Sequence, residues 1–523
     1  MTDPFGPAAL RSLTERLVAF RSVSPDPSGE ARCAAALHAA LPDGVERGLW
    51  PTPDGRPVVW ALARGRSART VMLLGHYDTV GYEEYAALGA TGGAEIALDP
   101  AAVRAALLAA RSDASLPAAV REDLEEERRA GGTWLFGRGA FDMKSGLAAG
   151  LGALAALAGA RDLEGHVLFV ATPDEENRSA GMEVACHELA ALRDRLGLEL
   201  LGAINLDSVE RPVAYAGVMG KQLVGLWITG RPAHAGDPFA GVDAAQIAAE
   251  IVTRATRTEV LVDHAGDLRG PPAVALRMRD LKRRYDVQTV AEAEVELSLL
   301  TFERPLERTF ELLRELAASA IAQVMGEMGA LRRRLHPGMT PPAGSVDPGE
   351  CVLDWAEFLE QTCGAGAHAF TLRLPPGEPD ERAALRGWLR VLAEQAKLSG
   401  PRVVLTLLPP YYPAAGPGHG PLVRAARATL GREGIPMDDW YPLITDASYL
   451  RAPASDSGVT RWMPAIPSWH PPLAAASRLD LDVISLGPWG RDAHGLYERV
   501  HAPYAFERLP RLLAAVVRET LRP

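Results

Sequence analysis

Histidine and acidic side chains follow three apolar runs of the sequence, 71–75, 166–171 and 201–206. Such runs are typical of buried parallel strands, whose carboxyl ends meet at one edge of a sheet. The side chains at these three ends are His76, Asp78, Asp174, Glu175, Glu176 and Asp207. Adjacent carboxylates at a buried edge are costly unless a positive charge lies against them. The spacing therefore predicts a metal site at this edge, and we favour a site for two metal ions.

Two further candidates lie outside these strand ends. Asp142 follows Gly137 and Gly139 and opens a helix of small residues, where a carboxylate can also be no more than a helix cap. His494 lies in a loop after the predicted strand 481–486, beside a sheet end. The helix-cap interpretation of Asp142 weakens once the other histidine and acidic side chains are counted with it.

Together these positions provide a mixed set of nitrogen and oxygen ligands. The expected ligands are His76, Asp142, Glu176, Asp207 and His494. Two divalent cations that share one carboxylate would offset their negative charge, and zinc suits the set, with cobalt or manganese as substitutes. One of the two adjacent glutamates can bind metal while the other stays free as a proton shuttle. Asp78 is placed to accept the second ring N–H of His76 and so to orient it.

The rest of the chain must position these groups, and its 523 residues predict two domains. Strands and helices alternate up to about Asp207, which predicts an α/β fold with a mostly parallel sheet. Residues 217–335 change to the order β-α-β-β-α, which is typical of an inserted two-layer α+β domain. We therefore expect a catalytic domain formed by residues 1–216 and 336–523 around this insert.

A second interruption lies between Asp78 and Asp142, where the sequence is rich in Ala, Glu and Arg. It includes two helical stretches, 100–111 and 116–129. The segment either inserts near the mouth of the site or forms a solvated surface excursion, and the sequence favours neither.

Composition excludes several classes of function. The net charge of −11 and the lack of a basic block argue against a nucleic-acid surface. The longest small-apolar run, Gly146 to Gly159, is too short and too weakly hydrophobic to span a bilayer. The N-terminus lacks the basic and apolar regions of a signal peptide, and the four cysteines show no CxxC spacing. We therefore expect a cytoplasmic protein that binds neither nucleic acid nor membrane.

Taken in order, these motifs resemble the co-catalytic zinc hydrolases of metallopeptidase family twenty, such as aminoacylases, succinyl-diaminopimelate desuccinylase and glutamate carboxypeptidase. The matching stretches are Gly75-His-Tyr-Asp-Thr-Val80, Gly137-Arg-Gly-Ala-Phe-Asp-Met-Lys144, Thr172-Pro-Asp-Glu-Glu176, Asp207 and Ala493-His494. The chain looks most similar to the arginine-utilisation branch of that family. The hallmarks of that branch here are the long segment before Gly137, Gly220-Lys221, Pro409-Pro-Tyr-Tyr-Pro413 and Thr445-Asp-Ala-Ser-Tyr449.

The resemblance implies a role for each candidate ligand. Asp142 would bridge two zinc ions, and the peptide bond that follows it would be cis. His76 and Asp207 would complete one metal site. Glu176 and His494 would complete the other.

The resemblance also implies roles outside the ligand set. Asp78 would orient the first histidine ligand, and Glu175 would be the general base. The inserted domain would be a lid through which two copies of the chain form a homodimer. His234, in the lid loop, would reach the active site of the partner subunit.

One position departs from the family pattern. Family members that bind a substrate carboxylate often have an arginine late in a lid strand. Leu300 takes that position here, with Arg304 beyond it. Recognition of a free α-carboxylate on the substrate is therefore not predicted.

The function that these residues predict is hydrolysis of an amide bond in an N-acyl amino acid or a small peptide. A non-catalytic, metal-dependent protein that binds amino-acid derivatives is the first alternative, but such a protein has no need of a free glutamate beside Glu176. A dinuclear phosphoesterase is the second alternative, and it would need basic side chains near the metals. The candidates for such side chains are Arg138, Lys144 and Arg491.

Overall fold

The computed structural model describes residues 3–89, 93–338, 347–364, 381–452, 454–466 and 469–523. Its helices are α1 (Pro7–Val18), α2 (Pro27–Ala39), α3 (Pro100–Ala110), α4 (Ala118–Ala130), α5 (Ser145–Ala158), α6 (Ala180–Leu196), α7 (Ala244–Thr256), α8 (Leu306–Leu335), α9 (Trp355–Cys363), α10 (Glu381–Gln395), α11 (Pro421–Arg432), α12 (Leu473–Leu479) and α13 (Leu509–Leu521). None of these described helices combines the length and the apolar character that crossing a bilayer requires.

The strands are β1 (Glu46–Pro51), β2 (Pro57–Ala63), β3 (Arg69–His76), β4 (Trp134–Phe136), β5 (His166–Thr172), β6 (Glu199–Asn205), β7 (Ala214–Tyr215), β8 (Gly220–Thr229), β9 (His264–Ala265), β10 (Leu268–Arg269), β11 (Val274–Asp280), β12 (Glu292–Thr301), β13 (Val352–Asp354), β14 (Arg402–Tyr412), β15 (Met437–Asp438), β16 (Val483–Ser485), β17 (Gly490–Arg491) and β18 (Arg499–His501). The chain divides into two compact units. The first unit is formed by Met1–Met219, Ala415–Ala452 and Pro472–Pro523, and the second by Gly220–Ala414 and Pro453–Pro471.

A mixed sheet with the order β1-β2-β5-β3-β6-β16-β7-β15 forms the centre of the first unit. Strand β3 lies between β5 and β6 and is parallel to both, and β16 is parallel to β6. The run Val71 to Leu74 in β3 is buried on both faces, as expected for a central parallel strand. The carboxyl ends of β3, β5, β6 and β16 therefore meet at one edge of the sheet, and the predicted α/β fold class is confirmed.

Helix α5 packs against this sheet through small residues. It contacts β3 and β5, and it also packs against α1 and α13. A Cβ atom at Gly146 would lie 2.2 Å from the carbonyl oxygen of Leu206, so only glycine allows the helix to approach the end of β6 this closely. This approach brings the start of α5, which follows Asp142 by three residues, to the edge at which β6 ends.

The described residues between Asp78 and Asp142 form a small core. Its helices α3 and α4 and its strand β4 enclose a hydrophobic cluster of their own, which includes Tyr85, Leu107 and Trp134. Strand β4 pairs antiparallel with β18, which follows the His494 loop. Of the two interpretations that the sequence left open, the structure supports an insertion that packs beside the site.

The second unit contains a five-stranded sheet with the order β11-β12-β8-β14-β13. The predicted elements of the insert form as β8, α7, β11, β12 and α8. Helices α7 and α8 pack against each other and contact the sheet. A separate hydrophobic cluster joins α9 and α10 to β8 and β14 and includes Trp227, Phe358, Leu389 and Val404.

The predicted end of the insert at residue 335 is corrected by this sheet. Strand β14 pairs with β8 over most of its length, so the second unit continues to Ala414. The apolar run of β14 indicates a buried strand but does not indicate which sheet that strand joins. It therefore fits the α/β pattern of the first unit as well as the sheet of the second.

Candidate metal centre

The sheet edge in the first unit brings the predicted histidine and acidic side chains together. His76 Nε2 lies 3.2 Å from Asp142 Oδ1, and His494 Nε2 lies 3.3 Å from Asp142 Oδ2. His494 Nε2 also lies 2.9 Å from Glu176 Oε1. The two oxygens of the Asp142 carboxylate therefore face two different histidines.

The donor atoms fall into overlapping groups, within each of which all ligand atoms lie within 4.8 Å of one another. The groups are His76 with Asp142 and Asp207, Asp142 with Glu176 and His494, and His76 with Glu175 and Glu176. The first two groups share only Asp142. Each combines imidazole nitrogen with carboxylate oxygen, a donor set that suits a divalent ion such as zinc.

Burial and neighbouring acids raise the pKa of several groups in this cluster. Hydrogen bonds to Asp142 and Glu176 raise the pKa of His494 to about 11. Burial raises the pKa of Asp207 to about 7, and the Asp142 carboxylate adds to the rise. Burial likewise raises the pKa of Glu175, and the charge of Glu176 adds to that rise. The cluster therefore favours positive charge, and the residues present fit divalent cations.

Asp142 is held in place through its backbone. Glu498 Oε1 accepts hydrogen bonds from the backbone N–H groups of Phe141 and Asp142, both at 3.2 Å. Glu498 Oε2 accepts a hydrogen bond of 2.5 Å from Arg138 Nη1. The peptide bond between Asp142 and Met143 is cis, as the family resemblance implied.

Asp78 supports more of the site than the sequence indicated. His76 Nδ1 lies 3.2 Å from the backbone oxygen of Asp78 and 3.4 Å from its Oδ1, which leaves Nε2 directed at Asp142. The Asp78 carboxylate also accepts the backbone N–H groups of Glu175 at 3.2 Å and Glu176 at 3.1 Å. One buried carboxylate thus positions a histidine and both glutamates.

Asp174, for which the sequence suggested no role, anchors the loop that carries the two glutamates. Its backbone has a positive φ of 68°, and its carbonyl oxygen accepts the N–H groups of residues 177, 178 and 179. Its Oδ1 accepts a hydrogen bond of 2.5 Å from Arg56, and its Oδ2 accepts the N–H of Ala180 at 3.1 Å. Arg56 also pairs with Glu30 at 2.9 Å. Sequence analysis missed both partners, because nothing near Glu30 or Arg56 in the sequence indicates that they meet this loop.

The insertion between Asp78 and Asp142 fastens the His494 loop. Arg499, which is fully buried, donates to Asp123 of helix α4 and to Asp492 Oδ2, both at 2.5 Å. Tyr85 OH donates to the backbone oxygen of Gly495 at 3.3 Å. His494 itself has a positive φ of 62°, a conformation that external contacts must maintain. The insertion therefore sets the position of a histidine at the candidate metal centre.

We expect the substitution Asp123→Asn to weaken metal binding without unfolding the protein. It removes the negative charge that holds Arg499, and the His494 loop loses part of its support. Affinity for the more weakly held metal ion should fall by about tenfold, the lower end of the effect typical of residues that orient metal ligands. Calorimetric titration of the metal-free protein measures this change. Glu122→Gln, which alters an exposed acid one residue away, is the matched control. Equal metal affinities in the two variants would contradict the assigned role.

The basic side chains considered for a phosphoesterase are engaged inside the protein. Arg138 is buried against Glu498 and Glu84 and donates to the backbone oxygen of His494 at 3.1 Å. Lys144 Nζ donates to the backbone oxygens of Leu17 at 3.0 Å and Phe20 at 3.4 Å. These two cations are therefore not positioned to clamp a phosphate.

Arg491, the third of these candidates, is also engaged. It lies over the ring of Trp134 at 6.0 Å and 3.7 Å from Asp123 Oδ2.

Three predicted positions lie in the second unit. His234 is exposed, and its Nδ1 accepts the N–H of Gly236 at 3.0 Å. Leu300 is partly buried in β12, opposite Lys221 of β8. The Arg304 guanidinium donates to the backbone oxygens of Leu261 at 2.9 Å and Val262 at 2.6 Å, so it stabilises a turn.

Comparison with known proteins finds a family model, two relatives and a solved structure that are similar to this chain. The model of peptidase family M20/M25/M40 matches residues 115–472. The chain is 29% identical to the uncharacterised protein YqjN of Bacillus subtilis, over 98% of this chain and 96% of that one. It is 28% identical to protein RocB of the same organism, over 90% of this chain and 85% of that one. The structure of YXEP from Bacillus subtilis, described as a dinuclear metal binding peptidase, superposes with a TM-score of 0.52 at 11% identity, over 98% of this chain and 97% of that one. The resemblance drawn from the sequence is confirmed, including its arginine-utilisation branch.

Proposed function

Because the chain belongs to peptidase family M20/M25/M40 and is therefore a hydrolase, we propose that it cleaves an amide bond in an N-acyl amino acid or a small peptide at a two-metal centre. The observation that carries this proposal is the Asp142 carboxylate, whose oxygens lie 3.2 Å from one histidine and 3.3 Å from another. His76, Asp142 and Asp207 would hold one ion, and Asp142, Glu176 and His494 would hold the other. Zinc suits these ligands, and cobalt or manganese can replace it.

When bound, two such ions polarise the scissile carbonyl and lower the pKa of the attacking water towards neutrality. Glu175 takes the proton from that water and passes it to the nitrogen of the leaving amine. Its carboxylate lies among the donor atoms of the centre but belongs to neither group that contains Asp142. The hydrogen bond from its backbone N–H to Asp78 keeps it there. Asp78 also holds His76 with Nε2 free for metal.

His234 supplies a hydrogen-bond donor from a second subunit in this proposal, and the lid forms the homodimer. Because His234 Nδ1 accepts the N–H of Gly236, the ring proton lies on Nε2, which is the atom that can donate. A donor of this kind stabilises the oxyanion of the transition state by about 3 kcal/mol.

We expect two inactive variants, Glu175→Gln and His234→Ala, to complement each other when their subunits are mixed. A heterodimer contains one site with an intact Glu175 and an intact His234 from its partner. Random mixing makes about half of the dimers mixed, so activity should recover to about a quarter of wild type. Amide hydrolysis by the remixed sample measures this, with each variant remixed alone as the control. Recovery no greater than in these controls would show that His234 does not act across subunits.

The experiment that tests the proposed function is amine release from a panel of N-acyl amino acids and dipeptides, with and without chelator. Release that requires metal supports the proposal. A ligand-induced thermal shift without turnover would instead identify a metal-dependent binding protein. Release of phosphate from phosphate esters without amine release would identify a phosphoesterase, although Arg138 and Lys144 are engaged elsewhere in the first unit.

A further inference from the structure

A cavity of about 220 Å³ lies within the second unit, between helix α8 and the segment 238–246. The apolar side chains that line it include Pro238, Phe239, Val242, Val324, Met325 and Met328. None of the lining residues belongs to the candidate metal centre, which lies in the first unit. The metal centre therefore does not account for this cavity.

Two arginines, Arg231 and Arg332, also line this cavity. Arg332 is only 9% exposed, and the Nε atoms of both side chains are buried without a hydrogen-bond partner. Among the described residues, neither guanidinium group forms an ion pair. Asp243 is the one carboxylate among the lining residues, and its Oδ1 instead accepts the N–H of Ala245 at the start of α7. The cavity wall thus carries two cationic side chains and one carboxylate, which leaves one positive charge uncompensated.

We propose that this cavity binds a small organic anion, a carboxylate carried on a short apolar body. A buried guanidinium is costly unless a negative group pairs with it, and its planar fork matches the two oxygens of a carboxylate. The methionine, valine and phenylalanine walls suit a hydrocarbon rather than an inorganic ion. A volume below the roughly 300 Å³ at which drug-sized sites begin limits the ligand to a few carbon atoms beyond its carboxylate.

The position of the cavity ties the ligand to the loop that contains His234. Arg231 precedes that histidine by three residues, and its backbone pairs with Val242, which also lines the cavity. Arg332 belongs to α8, which also lines the cavity. A carboxylate held by both arginines therefore fastens this loop to α8. The inference does not depend on the proposed function, because it uses no residue of the metal centre.

Calorimetric titration of the full-length, metal-loaded protein with hexanoate tests the proposal, with hexanamide as the uncharged ligand of the same shape. We expect hexanoate to bind and hexanamide not to bind. Inorganic phosphate should bind at least about tenfold more weakly than hexanoate because it gains nothing from the apolar walls. Failure of hexanoate to bind, or equal affinities for hexanoate and phosphate, would overturn the proposal.

Two variants place the binding in this cavity. Arg332→Met should lower hexanoate affinity by about tenfold or more and should raise Tm, because it removes a buried charge that has no partner. Arg333→Met changes an exposed arginine one position along α8 and should change neither quantity. Hexanoate binding that persists in Arg332→Met would assign the ligand to another place, such as the metal ions, and would refute the proposal. A third outcome is that wild type does not bind hexanoate and Arg332→Met no longer has the mass of a dimer. This outcome would show that a second copy of the chain fills the cavity, and it would also refute the proposal.

Discussion

Replacing Glu175 by glutamine should lower kcat by about 10²–10⁴-fold, the contribution typical of a positioned general base, while leaving metal content unchanged. Glutamine keeps the shape of the side chain and cannot accept the proton from the attacking water. The backbone N–H of residue 175 still reaches Asp78, so the loop should keep its position. Steady-state hydrolysis of the best substrate from the amine-release panel gives kcat, and elemental analysis of the same sample gives the metal content.

Glu188→Gln is the matched control for this change, because Glu188 is an exposed glutamate on the following helix. Its kcat should equal that of wild type. Full activity in Glu175→Gln would remove the proton-transfer role from Glu175. A loss of activity that accompanies a loss of metal would instead make Glu175 a ligand.

Replacing Asp142 by alanine should have the larger effect, because both metal sites of the proposed centre depend on this one carboxylate. Bound metal should fall from about two ions to fewer than one per chain after dialysis, and amine release should fall to the rate without protein. The fold should survive, since Glu498 holds residue 142 through its backbone N–H. Elemental analysis gives the metal content, and circular dichroism checks the fold.

Asp162→Ala, which removes an exposed carboxylate paired with Arg518 at the surface, is the matched control and should keep both ions. Retention of two ions by folded Asp142→Ala would show that the carboxylate does not bridge them. Loss of only one ion would assign Asp142 to a single site.

The sequence was sufficient to predict the edge at which the site forms. The apolar runs that end before His76, Glu175 and Asp207 had to be buried strands, and parallel strands place their carboxyl ends together. The small residues of helix α5 also carried information, since Gly146 lets that helix approach the end of β6. Types and spacing of residues along the chain encode such local features directly.

Features that depend on distant pairing were not visible in the sequence. Arg56 meets Asp174 across 118 positions, and Arg499 meets Asp123 across 376. A single arginine or aspartate in a helix or loop gives no pattern that identifies its partner. The apolar residues of β14 indicate a strand, but they do not indicate its pairing with β8, because they fit either sheet.

The insertion between Asp78 and Asp142 could be predicted only in part from the sequence. Its aromatic side chains, such as Tyr85 and Trp134, were a signal that it could form a core of its own. Its role became visible only when the contacts of Arg499 and Tyr85 with the His494 loop were known.

The most direct test of the account is amide hydrolysis measured as zinc is added stepwise to the metal-free protein. If Asp142 joins two catalytic ions, activity should rise until about two equivalents per chain have been added and then stay constant. Activity that is complete at one equivalent, or amine release that is already maximal in the metal-free protein, would contradict the two-metal centre.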